Sequence, residues 1–145
     1  MINLLLTCPD INSNSSNELI QFNIVSRTVA QIMSNGMGVF SPALHKYSIE
    51  KNSKSSLESS FWKQFHSSFL SWADALLVLD LPEVDNCFEV QEVITIFRNA
   101  EKPVRFITPD LSNAQLGVLL SDLTIKQHTQ LGVSCQALQD LPTIN

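Results

Sequence analysis

The sequence predicts an α/β protein with a mainly parallel sheet and helices on both of its faces. Short apolar runs such as Ile2–Thr7 and Ala75–Leu79 have the length and composition of strands that are buried on both faces. Amphipathic segments, in which apolar residues recur near the helical period, lie between these runs. The connections are short, as right-handed crossovers between parallel strands require. Together these observations favour a three-layer sandwich of the flavodoxin-like or Rossmann-like kind.

Size and composition favour one cytoplasmic domain over residues 1–145. A chain of 145 residues with 44% hydrophobic residues can bury a core of its own. The net charge of −5 disfavours a nucleic-acid polymer or an anionic membrane surface as partner, because both attract positive charge. The three cysteines are widely spaced and are expected to be reduced thiols. The apolar start, Met1–Cys8, lacks the basic region of a signal peptide, and no run is long enough to span a membrane.

The first half of the chain is predicted to contain two strands and two helices. Ile2–Thr7 is the first strand, and a polar stretch then leads into a helix that ends near Ser34. Gly38–Phe40 is a short second strand that stops at a Ser-Pro pair. The polar segment Tyr47–Ser60 is interpreted as an exposed loop, and Phe61–Trp72 as the second helix.

The second half is predicted to repeat the alternation of strand and helix. Ala75–Leu79 is the third strand, and an acidic loop leads from it to a helix over about Asn86–Asn99. Val104–Ile107 is the fourth strand, and Ser112–Leu123 is the fourth helix, with a serine cap. The remainder is weakly patterned, with a last short strand expected around Leu131–Val133.

Polar side chains follow several of the predicted strands, where ligands bind in parallel α/β sheets. The residues expected at this carboxyl edge are Thr7 to Asp10, Ser41, Pro42, His45, Asp80 to Asn86, and Thr108 to Asp110. Glu92 lies inside the helix that follows the acidic loop. Asp74 precedes the third strand, so the topology places it at the opposite edge of the sheet.

Known cofactor motifs are absent from the sequence. Neither GxGxxG nor GxxxxGK[ST] occurs among the four glycines, which disfavours a dinucleotide or ATP cofactor. There is no GxSxG nucleophile elbow, and His45, His66 and His128 do not have the spacing of metal ligands. No cofactor or metal is therefore predicted. Carboxylates remain as the chemically capable groups, and paired carboxylates are typical of glycosidic bond cleavage.

An ordered set of short motifs resembles the nucleoside 2-deoxyribosyltransferase superfamily, and in particular a poorly characterised bacterial and phage branch of it. The similarity spans roughly Leu4–Thr108. The motifs, in chain order, are TCP at Thr7–Pro9, Arg27, GVFSP at Gly38–Pro42, His45, a Trp-containing helix, ADALLVLDLP at Ala73–Pro82, Glu92, and EKPV at Glu101–Val104.

The resemblance implies a flavodoxin-like core, assembly into homo-oligomers, and cleavage of the N-glycosidic bond of a nucleoside or nucleotide. It implies that Glu92 is the nucleophile that attacks C1′ of the sugar, that Asp74 helps to manage the base, and that Asn86 contacts the sugar or its phosphate. Further residues expected to contact this small-molecule substrate are Cys8, Pro9, Ser41, His45 and Arg27.

The sequence departs from the superfamily pattern at three positions. Leu5 replaces a tyrosine near the end of the first strand, Phe88 replaces a small residue four positions before the nucleophile, and Asn86 replaces Asp or Ser. A catalytically degenerate protein that binds a nucleotide-like ligand is therefore an alternative, as is an interaction protein that uses the loop Tyr47–Ser60. Glu92 has its own alternative, a solvent-facing ion pair with a lysine such as Lys102.

The other candidates also have simpler interpretations. Asp74 could cap a helix or open a strand, and Asn86 could be the N-cap of the third helix. Cys87, at a helix amino end, could have a lowered pKa or could be a small packing residue. The acidic loop that contains Asp80, Glu83 and Asp85 would repel a phosphate, so a nucleoside fits better than a nucleotide.

Overall fold

A four-stranded parallel sheet with the strand order β2-β1-β3-β4 forms the centre of the molecule, flanked by five helices. The computed structural model describes residues 1–12, 15–53 and 56–124. The strands are β1 (Asn3–Thr7), β2 (Gly38–Phe40), β3 (Ala75–Leu79) and β4 (Val104–Ile107). The helices are α1 (Glu18–Ser34), α2 (Pro42–Glu50), α3 (Ser59–Trp72), α4 (Phe88–Asn99) and α5 (residues 113–124, where the described part ends). The predicted α/β fold is confirmed.

Helices cover both faces of the sheet, which makes three layers. On one face, Leu4, Leu6 and Leu77 pack against α1, α2 and α5. On the other face, Leu5 and Leu76 pack against α3 and α4. Successive side chains of a strand point to opposite faces, so both sets of strand residues must be apolar. This double burial explains why the strands are continuous apolar runs in the sequence.

The predicted loop Tyr47–Ser60 is wrong over its first residues, because α2 runs from Pro42 to Glu50. The side chain of Ser41 caps this helix by accepting a hydrogen bond from the Leu44 amide at 3.2 Å. Pro42 occupies the first helical turn, where its fixed φ and missing N–H are well tolerated. The Ser-Pro pair therefore begins a helix directly after β2 and does not open a loop.

The third predicted helix begins later than expected. A 3-10 turn covers Val84–Asn86, and α4 starts at Phe88 with Cys87 at the N-cap position. Asn86 is therefore not the cap of this helix, and it lies in the connection between β3 and α4. The last predicted strand, Leu131–Val133, lies outside the described residues.

At the amino edge of the sheet, Asp74 joins β1 to β3 by two hydrogen bonds. The Asn3 amide donates to Asp74 Oδ2 at 2.8 Å, and the Asp74 amide donates to the Asn3 carbonyl at 2.7 Å. Nearby, the Lys102 ammonium donates to the carbonyls of Leu70 and Ala73 at 3.1 and 2.8 Å. Because these carbonyls end α3 without helical partners, Lys102 closes that helix end.

Candidate active site at the carboxyl edge

A cavity of about 740 Å³ opens at the carboxyl end of β1, between α3 and α4. Its size lies within the range of roughly 300–1,000 Å³ that is typical of small-molecule sites. β1 and β3 are neighbours here, and the helices that follow them, α1 and α4, pack on opposite faces of the sheet. Such a switch point is where open α/β sheets bind ligands.

Four of the residues proposed from the sequence line this cavity. Cys8 and Pro9 follow β1, Asn86 belongs to the 3-10 turn, and Glu92 lies in the second turn of α4. The connections after β1 and β3 meet at the carboxyl edge, which brings residues from distant parts of the chain to one cavity. The structure therefore brings together the candidate nucleophile and three of the residues expected to contact the substrate.

Glu92 forms an ion pair across the cavity with Lys63 of α3. Lys63 Nζ lies 2.7 Å from Glu92 Oε1, the distance of a charge-assisted hydrogen bond. The side chain of Glu92 is 32% exposed and that of Lys63 is 69% exposed. The alternative of an ion pair between Glu92 and a lysine is therefore found, but the partner is Lys63 and not Lys102, whose ammonium binds the end of α3. The contact with Lys63 fixes the Glu92 carboxylate while leaving it accessible from the cavity.

The other four proposed residues do not line the cavity. Ser41 is buried as the cap of α2, and Arg27 is exposed on α1, in the opposite helical layer. Asp74 lies at the amino edge of the sheet, where its carboxylate accepts the Asn3 amide. The ring of His45 packs against the rings of Phe65 and Trp62, at 5.4 and 5.8 Å between ring centroids.

The two described cysteines do not have the electrostatics of nucleophiles. Burial raises the pKa of Cys8 to about 12, with smaller contributions in the same direction from Asp10 and Cys87. Burial also raises the pKa of Cys87, against a lowering by the Val90 amide at the start of α4. Since the thiolate is the reactive form, both side chains are packing groups in this cavity.

Sequence reasoning missed Lys63 and His66, which both line the cavity from α3. Burial lowers the pKa of His66, and the neighbouring His45 lowers it further. The Nε2 atom of His66 is buried and has no hydrogen-bond partner among the described residues. Because aromatic residues surround Lys63 and His66 in the sequence, α3 has the pattern of a helix that packs on the core. The spacing of Lys63 and His66, three residues apart, indicates that they lie on one face of the helix, and this was the signal in the sequence that could have found them.

Leu5 and Phe88, the two apolar residues that depart from the superfamily pattern, occupy different positions around the cavity. Leu5 is fully buried in the strand and lines the cavity without supplying a hydroxyl group. Phe88 is 74% exposed at the first position of α4, so its ring lies at the rim of the cavity and does not fill it. Phe88 therefore leaves the interior of the cavity open.

The charged residues of the cavity lining are mostly acidic. Asp10, Glu83, Glu89 and Glu92 line it, together with the ammonium groups of Lys46 and Lys63. Lys46 pairs with Asp10 at 2.6 Å, as Lys63 does with Glu92. The two lysines therefore neutralise two of these four carboxylates, and the remaining negative charge favours an uncharged ligand over an anion.

Within residues 1–12, 15–53 and 56–124, no three His, Cys, Asp or Glu side chains are grouped so that they could hold a metal ion. None of the helices in this part of the chain has the length and apolar composition needed to cross a membrane.

Comparison with known proteins finds a distant similarity of fold. No family model matches the sequence, and no curated protein matches it. Among solved structures, the chain is similar to a 2-deoxyribosyltransferase from the psychrotolerant bacterium Bacillus psychrosaccharolyticus. The identity is 18% and the TM-score is 0.46, over 74% of this chain and 72% of that chain. A similarity of this size transfers no catalytic role to any residue.

Proposed function

We propose that this protein cleaves the N-glycosidic bond of a small nucleoside and passes the sugar to another base or to water. The observation that carries the proposal is the position of Glu92. Its carboxylate opens into a nucleoside-sized cavity at the switch point of the sheet, beside Cys8, Pro9 and Asn86. The ion pair with Lys63 at 2.7 Å supports this role, because a nucleophile must be ionised and held in place.

The chemistry follows the pattern of a retaining glycosidase. A Glu92 oxygen attacks C1′ of the sugar as the bond from C1′ to the base nitrogen breaks, which leaves a glycosyl ester on the enzyme. A second base or a water molecule then attacks C1′ and releases the carboxylate. Asn86 lies in the turn that enters α4 and lines the cavity, which supports a contact with the sugar. The net negative charge of the lining supports a nucleoside without a phosphate as the substrate.

The test is release of free base from deoxynucleosides by wild type and by Glu92→Gln. We expect wild type to release base and the variant to be slower by on the order of 10³-fold or more, because the amide cannot form the ester. Glu89→Gln is the matched control, since Glu89 lies one turn earlier on α4 and lines the same cavity. It should retain activity within a few-fold. Absence of base release from every deoxynucleoside, or full activity in Glu92→Gln, would falsify the proposal.

Binding without turnover is the second candidate function. Leu5 supports it, because this buried side chain supplies no hydroxyl group near the carboxylate. Calorimetry with deoxynucleosides separates the two functions. Heat of binding without any release of base, in wild type and Glu92→Gln alike, supports a binding protein, whereas release of base that depends on Glu92 contradicts it.

A further inference from the structure

The departing base needs a proton in the reaction proposed above. When the bond from C1′ to the base nitrogen breaks, its electron pair stays on the base. An anionic nucleobase is a poor leaving group at neutral pH, so a positioned acid contributes typically ~10²–10⁴-fold. Asp74, the residue that the resemblance suggests for managing the base, lies at the opposite edge of the sheet and cannot supply this proton within the same chain.

His66 lines the cavity beside the residue that holds the nucleophile. His66 and Lys63 are three residues apart on α3, so their side chains leave the same face of the helix about 5–6 Å apart. Lys63 in turn contacts the Glu92 carboxylate at 2.7 Å. The imidazole therefore lies one helical turn from the ion pair of the candidate nucleophile, and lines the same cavity.

The imidazole ring of His66 is held in place by contacts with neighbouring rings. It stacks on Trp62 at 5.3 Å between ring centroids and contacts Phe40 and His45 edge-on at 5.7 and 5.8 Å. Its Nε2 atom is buried and has no hydrogen-bond partner in the part of the chain that the structure describes. Most buried polar atoms in proteins have a hydrogen-bond partner, so this atom needs an explanation.

We propose that His66 is the acid that protonates the departing base; this assignment rests on the proposed function. As Glu92 attacks C1′, the imidazolium of His66 donates its proton to the base nitrogen that receives the electron pair of the broken bond. The products of this step are the neutral base, the glycosyl ester on Glu92 and a neutral imidazole. When water then attacks C1′, the imidazole accepts the proton of that water, and the free sugar and the starting enzyme result.

The surroundings of His66 set the pH range in which it can act. Burial and the neighbouring His45 and Lys46 on α2 lower its pKa below 6.5, while Asp10 after β1 opposes this shift. Lys63 on its own helix, and Glu89 and Glu92 on α4, also line the cavity. Because the imidazolium is the active form, kcat/KM should rise as the pH falls from neutrality towards this lowered pKa.

A pair of substrates with different leaving groups tests the assignment. 2′-Deoxyguanosine needs a proton to release guanine, whereas its N7-methylated derivative already carries a positive charge on the base and leaves as a neutral molecule. We expect His66→Gln to reduce kcat/KM for 2′-deoxyguanosine by on the order of 10²-fold and for the methylated substrate by only a few-fold. His45→Gln is the matched control, because this neighbouring imidazole does not line the cavity. It should not reduce kcat/KM for 2′-deoxyguanosine, since loss of His45 removes one of the groups that lower the pKa of His66.

A measurement on the wild-type protein covers the case in which His66→Gln fails to fold. For 2′-deoxyguanosine, kcat/KM should fall as the pH rises above the pKa of His66, and for the methylated substrate this limb should be absent. Equal losses in His66→Gln, or identical pH profiles for both substrates, overturn the role of His66 and leave the role of Glu92 standing. Absence of Glu92-dependent release from the methylated substrate overturns the proposed function, and this assignment with it.

Discussion

The two helical layers of this protein differ in how closely they pack on the sheet. The layer of α1, α2 and α5 covers its face with a continuous apolar core, whereas the layer of α3 and α4 leaves a cavity of about 740 Å³ between its helices. We call the first the closed layer and the second the open layer. In the closed layer the Tyr47 hydroxyl joins the helices, since it donates to Glu18 of α1 and accepts from Lys51 at 2.8 Å.

The open layer instead has an accessible ion pair, Lys63–Glu92, across its cavity. An accessible pair of this kind contributes little to stability, whereas a buried apolar core contributes most of it. The difference indicates that the closed layer stabilises the fold and that the open layer is available for chemistry. Substitutions in the two layers test this division.

Replacement of isoleucine by alanine should lower the free energy of unfolding much more in the closed layer than in the open layer. Ile32 of α1 is fully buried, and Ile32→Ala should lower the free energy of unfolding by about 2–5 kcal/mol because it leaves a void. Ile96 of α4 is 39% exposed and lines the cavity, so Ile96→Ala should cost about 1 kcal/mol or less. Urea unfolding of both variants measures this, and equal losses would contradict the division.

Acidification should weaken the open layer through His66. The folded state lowers the pKa of His66 below its ordinary value of 6.5, mainly by burial, so the unfolded chain binds this proton more readily. The contribution of the neutral His66 side chain to the free energy of unfolding is therefore fully present above pH 6.5 and is lost as the pH falls below that value.

Thermal unfolding from pH 8 to pH 5 in wild type and His66→Gln isolates this contribution. The midpoint of wild type should fall more steeply with decreasing pH than that of the variant. Parallel slopes would show that the imidazole is as easily protonated in the folded protein as in the unfolded chain.

Removal of the ion pair in the open layer should have the smallest effect on stability. Lys63→Met should change the free energy of unfolding by less than about 1 kcal/mol, because the lysine is largely exposed. The same substitution should reduce kcat for base release more than it changes KM, since it frees the Glu92 carboxylate from its partner. Lys63→Arg, which keeps the positive charge, is the control and should recover part of kcat.

The fold was largely predictable because its signals are local in the sequence. β3 is apolar at every residue and β1 at its three central residues, and α1 and α3 have clear apolar stripes. α2 was missed because its sequence is short and polar, and because the Ser-Pro pair at Ser41 was interpreted as the end of a strand. A serine cap followed by proline also begins helices, and the burial of Tyr47 decides between the two.

The candidate site was only partly predictable because it depends on which helix faces point at each other. Cys8, Pro9 and Asn86 could be placed from the rule that parallel strands share a carboxyl edge, whereas Glu92 was singled out by the family resemblance. Lys63 and His66 could not be assigned to the site in this way. A single sequence does not tell whether the face of α3 that contains them points towards α4 or towards the core. The same rule places Asp74, which precedes β3, at the amino edge and away from the site, and the structure confirms this position.

The direction of the helices also affects the charge at the cavity. α3 and α4 both begin at the carboxyl edge, with Ser59 and Phe88 lining the cavity at their first positions. The aligned peptide dipoles of a helix amount to roughly half a positive charge at such an end. These two macrodipoles therefore offset part of the negative charge of Glu83 and Glu89, which pair with none of the described lysines that line the cavity. The cavity is closer to neutrality than a count of its side chains suggests.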